Sequence, residues 1–227
     1  MIYAIGDLHL DFRKEKPMDV FGSEWINHEE KIFDSWEKLV REDDLVLVPG
    51  DISWAMKLED SYEDLKRIDE LPGKKIMSKG NHDYWWQGLK KMNGLNLETI
   101  NFLQNNSFVY NKIGIAGSRG WASKGSEDFD AHDEKVFRRE LIRLDLSLSS
   151  IDRTIDKKIV LLHYPPFNSK LKPNEFVDIM KKYNVDICIY GHLHAEGHKY
   201  AVEGEVEGVE FHCVASDYIN FMPKVII

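Results

Sequence analysis

Cysteine is scarce: Cys188 and Cys213 are the only two in 227 residues, each inside an apolar run. That excludes a disulfide scaffold and predicts buried thiols in a reducing compartment. Long apolar runs are missing too, so no stretch approaches the roughly 20 residues of a membrane span. A charged leader with an apolar h-region is absent where the chain opens, and the location expected is cytoplasmic. Basic stretches are lacking, and the net charge is −9. Lys90-Lys91, Arg138-Arg139 and Lys181-Lys182 are isolated pairs that read as solvated helix faces. Nucleic acid is therefore not expected as a partner, whereas a small anionic substrate held by bound cations is compatible with an acidic chain. Internal repeats, low-complexity segments, a phosphate-binding P-loop, a Cys-x-x-Cys pair and a Gly-x-Ser-x-Gly elbow are also missing. The nearest approach to an elbow, Gly117-Ser118-Arg119-Gly120, has the wrong spacing.

What is present fits one domain over 1–227, long enough to bury a core without staples. Apolar runs at 2–5, 45–48, 159–162 and 187–190, and a strand-like run at 74–77, predict buried strands, with 45–48 buried on both faces. Between them, helical spacing covers 29–41, 58–71, a segment from about 133, and 173–183 with Pro173 in its first turn. The order strand, helix, strand, helix, strand argues for a parallel sheet built from crossovers. Shorter strands are expected near 102–103, 107–110 and 113–116, with Asn111-Lys112 as a tight hairpin turn. The segment 10–23 reads as a loop packed through Phe12, Phe21 and Trp25. The segment 117–131 is a long glycine-rich loop, and 197–227 is expected to form antiparallel strands.

The five buried runs share one property. They end in Asp7 and His9, in Asp51, in Asn81 and His82, in His163, and in His192 and His194. Taken singly, each has an ordinary structural reading: Gly50-Asp51 is a stock helix-entry turn, and a lone His163 is commonly a hydrogen-bonded core residue. Together they deliver carboxylate, imidazole and amide groups to the end of a sheet where ligands bind in open α/β folds. Glycine precedes the site residue in four cases (Gly6, Gly50, Gly80, Gly191), which permits a tight turn and close backbone approach.

Asp7-x-His9, Gly50-Asp51, Gly80-Asn81-His82-Asp83, His163 and Gly191-His192-x-His194 resemble the five-block signature of the calcineurin-like metallophosphoesterases. The resemblance implies an α/β (α+β) fold, a two-sheet β-sandwich flanked by helices, with the site at the C-terminal ends of the strands. It implies two divalent transition-metal ions (Mn favoured, with Fe, Zn, Co or Ni suited to the mixed N/O ligands). Asp7, His9 and His194 would bind one ion, Asn81, His163 and His192 the other, and Asp51 would bridge. The activity implied is hydrolysis of a small phosphomonoester or phosphodiester, such as a nucleotide, by in-line attack of a metal-bridging hydroxide. A nuclease on the same chemistry, or a non-catalytic scaffold, are the alternatives. Asn81 and His82 would contact substrate. His82, not a ligand, would meet the leaving group, with Asp83 orienting its imidazole and favouring the cation.

Departures from the family narrow the substrate. Ile52-Ser53-Trp54-Ala55-Met56 follows Asp51, with no phosphate-gripping Arg of the protein Ser/Thr phosphatase branch. The tyrosine-rich blocks of the purple acid phosphatases are absent as well. Arg119 reads either as a phosphate contact or as a loop salt bridge. Trp54, Trp85, Trp86 and Trp121 read as a nucleobase floor or as packing. His28, His132, His198 and His212 fit no block and are expected to be structural or surface residues. Specificity is expected in loops 10–25, 52–58 and 117–132.

Overall fold

Each apolar run becomes a strand whose two faces enter different cores. In a computed structural model describing residues 1–124, 126, 129–151 and 154–227, the chain begins with β1 (Ile2–Ala4), α1 (His28–Leu39), β2 (Leu45–Pro49), α2 (Tyr62–Glu70), β3 (Lys74–Ser78), α3 (Leu89–Asn93) and β4 (Ile100–Leu103). It continues with β5 (Phe108–Tyr110), β6 (Ile113–Gly117), α4 (Ala131–Ser149), β7 (Lys157–Leu161), α5 (Glu175–Lys182), β8 (Ile187–Tyr190), β9 (Gly204–Val206), β10 (Val209–Cys213) and β11 (Lys224–Val225). Gly125, Glu127 and Asp128 of the expected 117–131 loop lie outside the described residues.

One sheet runs β11-β1-β2-β3-β4 and the other β5-β6-β7-β8-β10-β9. The inner faces meet through Ile2, Ala4, Leu45, Leu47 and Ile76 on one side and Ile115, Ile159, Leu161, Ile187 and Ile189 on the other. The alternate residues point outward. Tyr3, Val46, Val48 and Met77 pack under α1 and α2 with Ile32, Trp36, Leu65 and Ile68. Val160, Leu162, Cys188 and Tyr190 pack with Phe137, Leu144, Phe176 and Met180 of α4 and α5. A buried polar residue without a partner is costly, so β1, β2 and β8 show no alternation, and the buried Lys75 of β3 has its ammonium bonded to the Leu71 carbonyl and Thr99 Oγ1. A one-residue slip would exchange the two cores, so the register is firmly set. The result is the expected sandwich flanked by helices.

The parallel pairs β1–β2–β3–β4 and β6–β7–β8–β10 all point their carboxyl ends the same way within their sheets. The hairpin at Asn111-Lys112 forms as expected, both residues in the left-handed region (φ 47° and 63°) that primed two-residue turns require. α4 opens with a capping box: Asp130 accepts from the His132 and Asp133 amides while Asp133 accepts from the Asp130 amide.

Two expectations fail. Residues 197–227 are not simply antiparallel: β9–β10 is a hairpin, but β10 continues the second sheet parallel to β8, and β11 closes the first sheet beside β1. Such long-range pairing leaves no local periodic trace. In the segment 10–23, Phe12 and Phe21 are exposed; Met18 and Trp25 supply the buried contacts.

Candidate metal centre

The strand ends turn sharply, and the turns fix the site. Asp7, His9, Asp51 and His192 all have positive φ (55°, 47°, 51° and 72°), a region costly for residues with a Cβ. Four such residues in one place mark a site where geometry overrides local preference. Two glycines admit the carboxylates. A Cβ on Gly191 would collide with Asp7 Oδ2, and one on Gly80 with Asp51 Oδ1.

All seven residues expected to hold metal come together. Asp7, His9 and His194 place one donor atom each within 4.8 Å of one another, and so do Asp7, Asp51 and His163. The first triad is the one the family resemblance implies. In the second, Asp7 reaches across with Asp51, so both carboxylates lie between the two clusters. His163 Nε2 lies 2.6 Å from Asn81 Oδ1 and 3.2 Å from His192 Nδ1. Its Nδ1 faces the Pro49 carbonyl at 3.1 Å, which turns Nε2 toward the site. The first sheet supplies Asp7, His9, Asp51 and Asn81, and the second supplies His163, His192 and His194.

Burial sets the charge state. It lowers the basicity of His163 and His192, each to about 3, and holds His9 well below its ordinary value. These rings are neutral and present lone pairs, the form a metal needs. Burial together with Asp83 and Asp7 pushes Asp51 well above the usual carboxylate range. Asp7 and Asp51 are buried at 0% and 2% exposure. Buried carboxylates facing neutral imidazoles want a cation, and the donor set fits divalent ions of the transition series. His194 behaves differently. Burial lowers its basicity, but hydrogen bonds to Asp217 and Asp7 outweigh this and raise it to about 10. Its Nδ1 is 2.8 Å from Asp217 Oδ1 and its Nε2 is 3.3 Å from Asp7 Oδ1. A proton there occupies the place of a cation.

His82 is half-buried at the mouth, its ring 4.5 Å from Trp54 and 5.8 Å from His9 by centroids. Its main-chain amide donates to Asp51 Oδ1 at 2.8 Å, and burial lowers its imidazole basicity. The expected contact from Asp83 to that imidazole does not form. Asp83 instead accepts from the amides of Asp51, Ile52, Ser53 and Gly80 and from the Trp85 indole. It clamps the turn after β2 to the turn after β3.

Trp54 stacks on His9 at 4.9 Å, 25° between planes, so it borders the site. Trp85 and Trp86 are core residues, and Trp121 packs under Arg119 and donates to Asp133. Arg119 forms its loop ion pair, 3.6 Å from Glu140, while its carbonyl accepts the His163 amide.

Sequence reasoning missed Asp217, which orients His194 and also faces His198 Nε2 at 3.0 Å. Nothing local marks it; only β10, lying beside β8, brings 217 to the site. His28, set aside as structural, holds the His9 carbonyl through Nε2 at 3.2 Å.

A site of this kind at the carboxyl ends of a β-sandwich is that of the metallophosphoesterases, and the chain belongs to the calcineurin-like phosphoesterase family, which it matches over residues 1–196. Members of the family hydrolyse phosphoesters with metal ions. Among solved structures it is similar to a protein of unknown function, AQ665, from Aquifex aeolicus (TM-score 0.53, 19% identity, covering 99% of this chain and 94% of that one). It is also similar to the phosphopantetheinyl hydrolase PptH of Mycobacterium tuberculosis (TM-score 0.56, 17% identity, 94% and 89%). A third similar structure is GAP50, the anchor in the inner membrane complex of Plasmodium (TM-score 0.50, 15% identity, 95% and 71%). At these identities the likeness is one of fold. None of the curated protein sequences compared matches the chain. Among the described residues no helix is long and apolar enough to cross a membrane.

Proposed function

We propose that this protein hydrolyses a small phosphomonoester or phosphodiester at two divalent transition-metal ions, manganese favoured. The observation that carries the reading is the convergence of Asp7, His9, Asp51, Asn81, His163, His192 and His194 from five strand ends. Asp7, His9 and His194 would hold one ion, Asn81, His163 and His192 the other, with Asp51 between them. Bound there, the ions would supply Lewis acidity and a water acidic enough to act as nucleophile near neutral pH. The protein's own residues do the rest. His82, at the mouth, hydrogen-bonds the departing oxygen, and the ring of Trp54 holds His9 in place. Asp217 fixes the His194 ring through Nδ1 so that Nε2 faces Asp7.

A small substrate suits the surroundings. A cavity of about 520 Å³ beside the centre is bordered by His192, Leu193, Tyr164, Phe167 and Tyr200, the size of a small-molecule site. A nucleic-acid track is disfavoured by the charge of −9. The two buried thiols, unpaired, fit a reducing, cytoplasmic compartment. The test combines metal analysis of the purified protein with turnover of generic mono- and diesters in Mn²⁺, Co²⁺, Ni²⁺ and Zn²⁺. We expect close to two ions per chain, and Asp51→Asn or His192→Ala to cost more than about a hundredfold in activity. Fewer than one ion per chain, or full activity in either variant, would reject the reading.

A further inference from the structure

Next to the centre, on the Asn81 and His163 side, lies a second cavity of about 310 Å³, lined by Lys79, Arg119, Arg143 and Glu140 together with amide side chains such as Gln104. Three cations and one carboxylate share it, a local charge of +2 on a chain whose net charge is −9. Like charges gathered in a concave site repel unless an anion is there to meet them.

The internal pairing does not satisfy them. The Glu140 side chain is 1% exposed and engages through Oε1 alone, at 2.8 Å from Arg143 and 3.6 Å from both Arg119 and Arg139. Its Oε2 and Arg119 Nε are buried without a hydrogen-bond partner among the described residues. Lys79 is half-buried, and its ammonium has no hydrogen-bond or ion-pair partner there. Trp121 lies under the Arg119 guanidinium, 4.2 Å from ring to carbon, and fixes its plane.

Two main-chain links tie the lining of this cavity to the centre. Lys79 precedes Asn81 by two residues, at most about 7 Å of chain. The Arg119 carbonyl accepts the His163 amide at 3.0 Å. We propose that Lys79, Arg119 and Arg143 form a subsite for a second phosphate group of the substrate, so that the preferred substrates carry two phosphates. The inference rests on the phosphoesterase reading above: one phosphate sits at the metal centre and the other here. Guanidinium forks and an ammonium match phosphate oxygens, and the volume exceeds a bare phosphate, leaving room for its attached group.

Calorimetric titration of the full-length, metal-loaded protein with inorganic phosphate tests this. Two phosphates should bind per chain, and chelating the metal should remove one and leave the other. Lys79→Met, which breaks no hydrogen bond or ion pair among the described residues, and Arg143→Gln should each weaken the chelator-resistant site about tenfold, while Arg143→Lys should restore most of it. Among substrates turned over, those with a second phosphate should show a KM at least about tenfold below their single-phosphate counterparts, an advantage lost in Lys79→Met. A single phosphate per metal-loaded chain that chelation removes, a second site indifferent to both variants, or equal KM values would overturn the subsite. A single phosphate per metal-loaded chain that survives chelation would instead count against the metal centre.

Discussion

Removing the Asp83 carboxylate should damage the fold before it damages any chemistry. Its two oxygens take five hydrogen bonds, from the amides of Gly80 (2.8 Å), Asp51 and Ile52 (both 2.9 Å) and Ser53 (3.3 Å), and from the Trp85 indole (3.1 Å). Asp83 and Trp85 are both fully buried. In Asp83→Ala each of those donors loses its partner away from water, at about 1–3 kcal/mol apiece if taken alone. The costs do not add, since the emptied space relaxes and admits water. Burial also raises the carboxyl's affinity for a proton, so the charge itself is held at some expense. A net loss of about 4 kcal/mol is expected, within the range for breaking a buried charged network. With a urea m-value near 3 kcal/mol/M, the midpoint should fall by about 1.3 M, read by circular dichroism and tryptophan fluorescence. Asp83→Asn retains one acceptor oxygen and should lose about half as much. Were Asp83 instead a partner of the His82 ring, Asp83→Ala would leave the urea midpoint nearly unchanged and alter only the pH profile of turnover. A shift below about 0.3 M would therefore refute the clamp.

Three further outcomes follow from the geometry. Gly191→Ala drives a Cβ into the Asp7 carboxylate, so the purified variant should retain native circular dichroism yet hold less than half of the wild-type metal by elemental analysis. Asp217→Asn removes the charge that steers His194 and should weaken metal affinity about 10- to 100-fold in a competition titration against a chelator. With His194 raised to about 10 in the metal-free pocket, its ring carries both protons at pH 7, and a metal at Nε2 must expel one. Affinity should therefore tighten about tenfold per pH unit from 6 to 8, with about one proton released per chain in calorimetry across buffers of different ionisation enthalpy. A pH-independent affinity would contradict that protonation state.

The fold was readable where burial is two-sided. Residues 45–48 and 187–190 sit with one face in the inter-sheet core and the other under helices, and such a run can be little else than a central strand. The site was readable because its side chains follow those strands directly in the chain. Asp217 was not, since its place depends on the pairing of Phe211 with Cys188 and of Cys213 with Tyr190, a contact between distant segments with no local signature. Asp83 was misjudged for a related reason. Adjacency in sequence to His82 suggested a pair, but the turn directs its carboxylate back toward amides of another loop. Spacing reports which groups are near; only the backbone path reports which way they face.

The seam between the sheets has a kinetic meaning. Asp7 lies on one sheet and His192 on the other, 185 residues apart in the chain, and the His192 amide donates to both Asp7 oxygens at 3.1 and 3.0 Å. A half-folded chain with one sheet formed would hold only half the donors. A cation gripped at the seam thus binds the completed sandwich and scarcely any precursor, so it acts on the rate of unfolding and leaves the rate of folding almost untouched. Metal would work as a late clasp, lengthening the life of a structure already made.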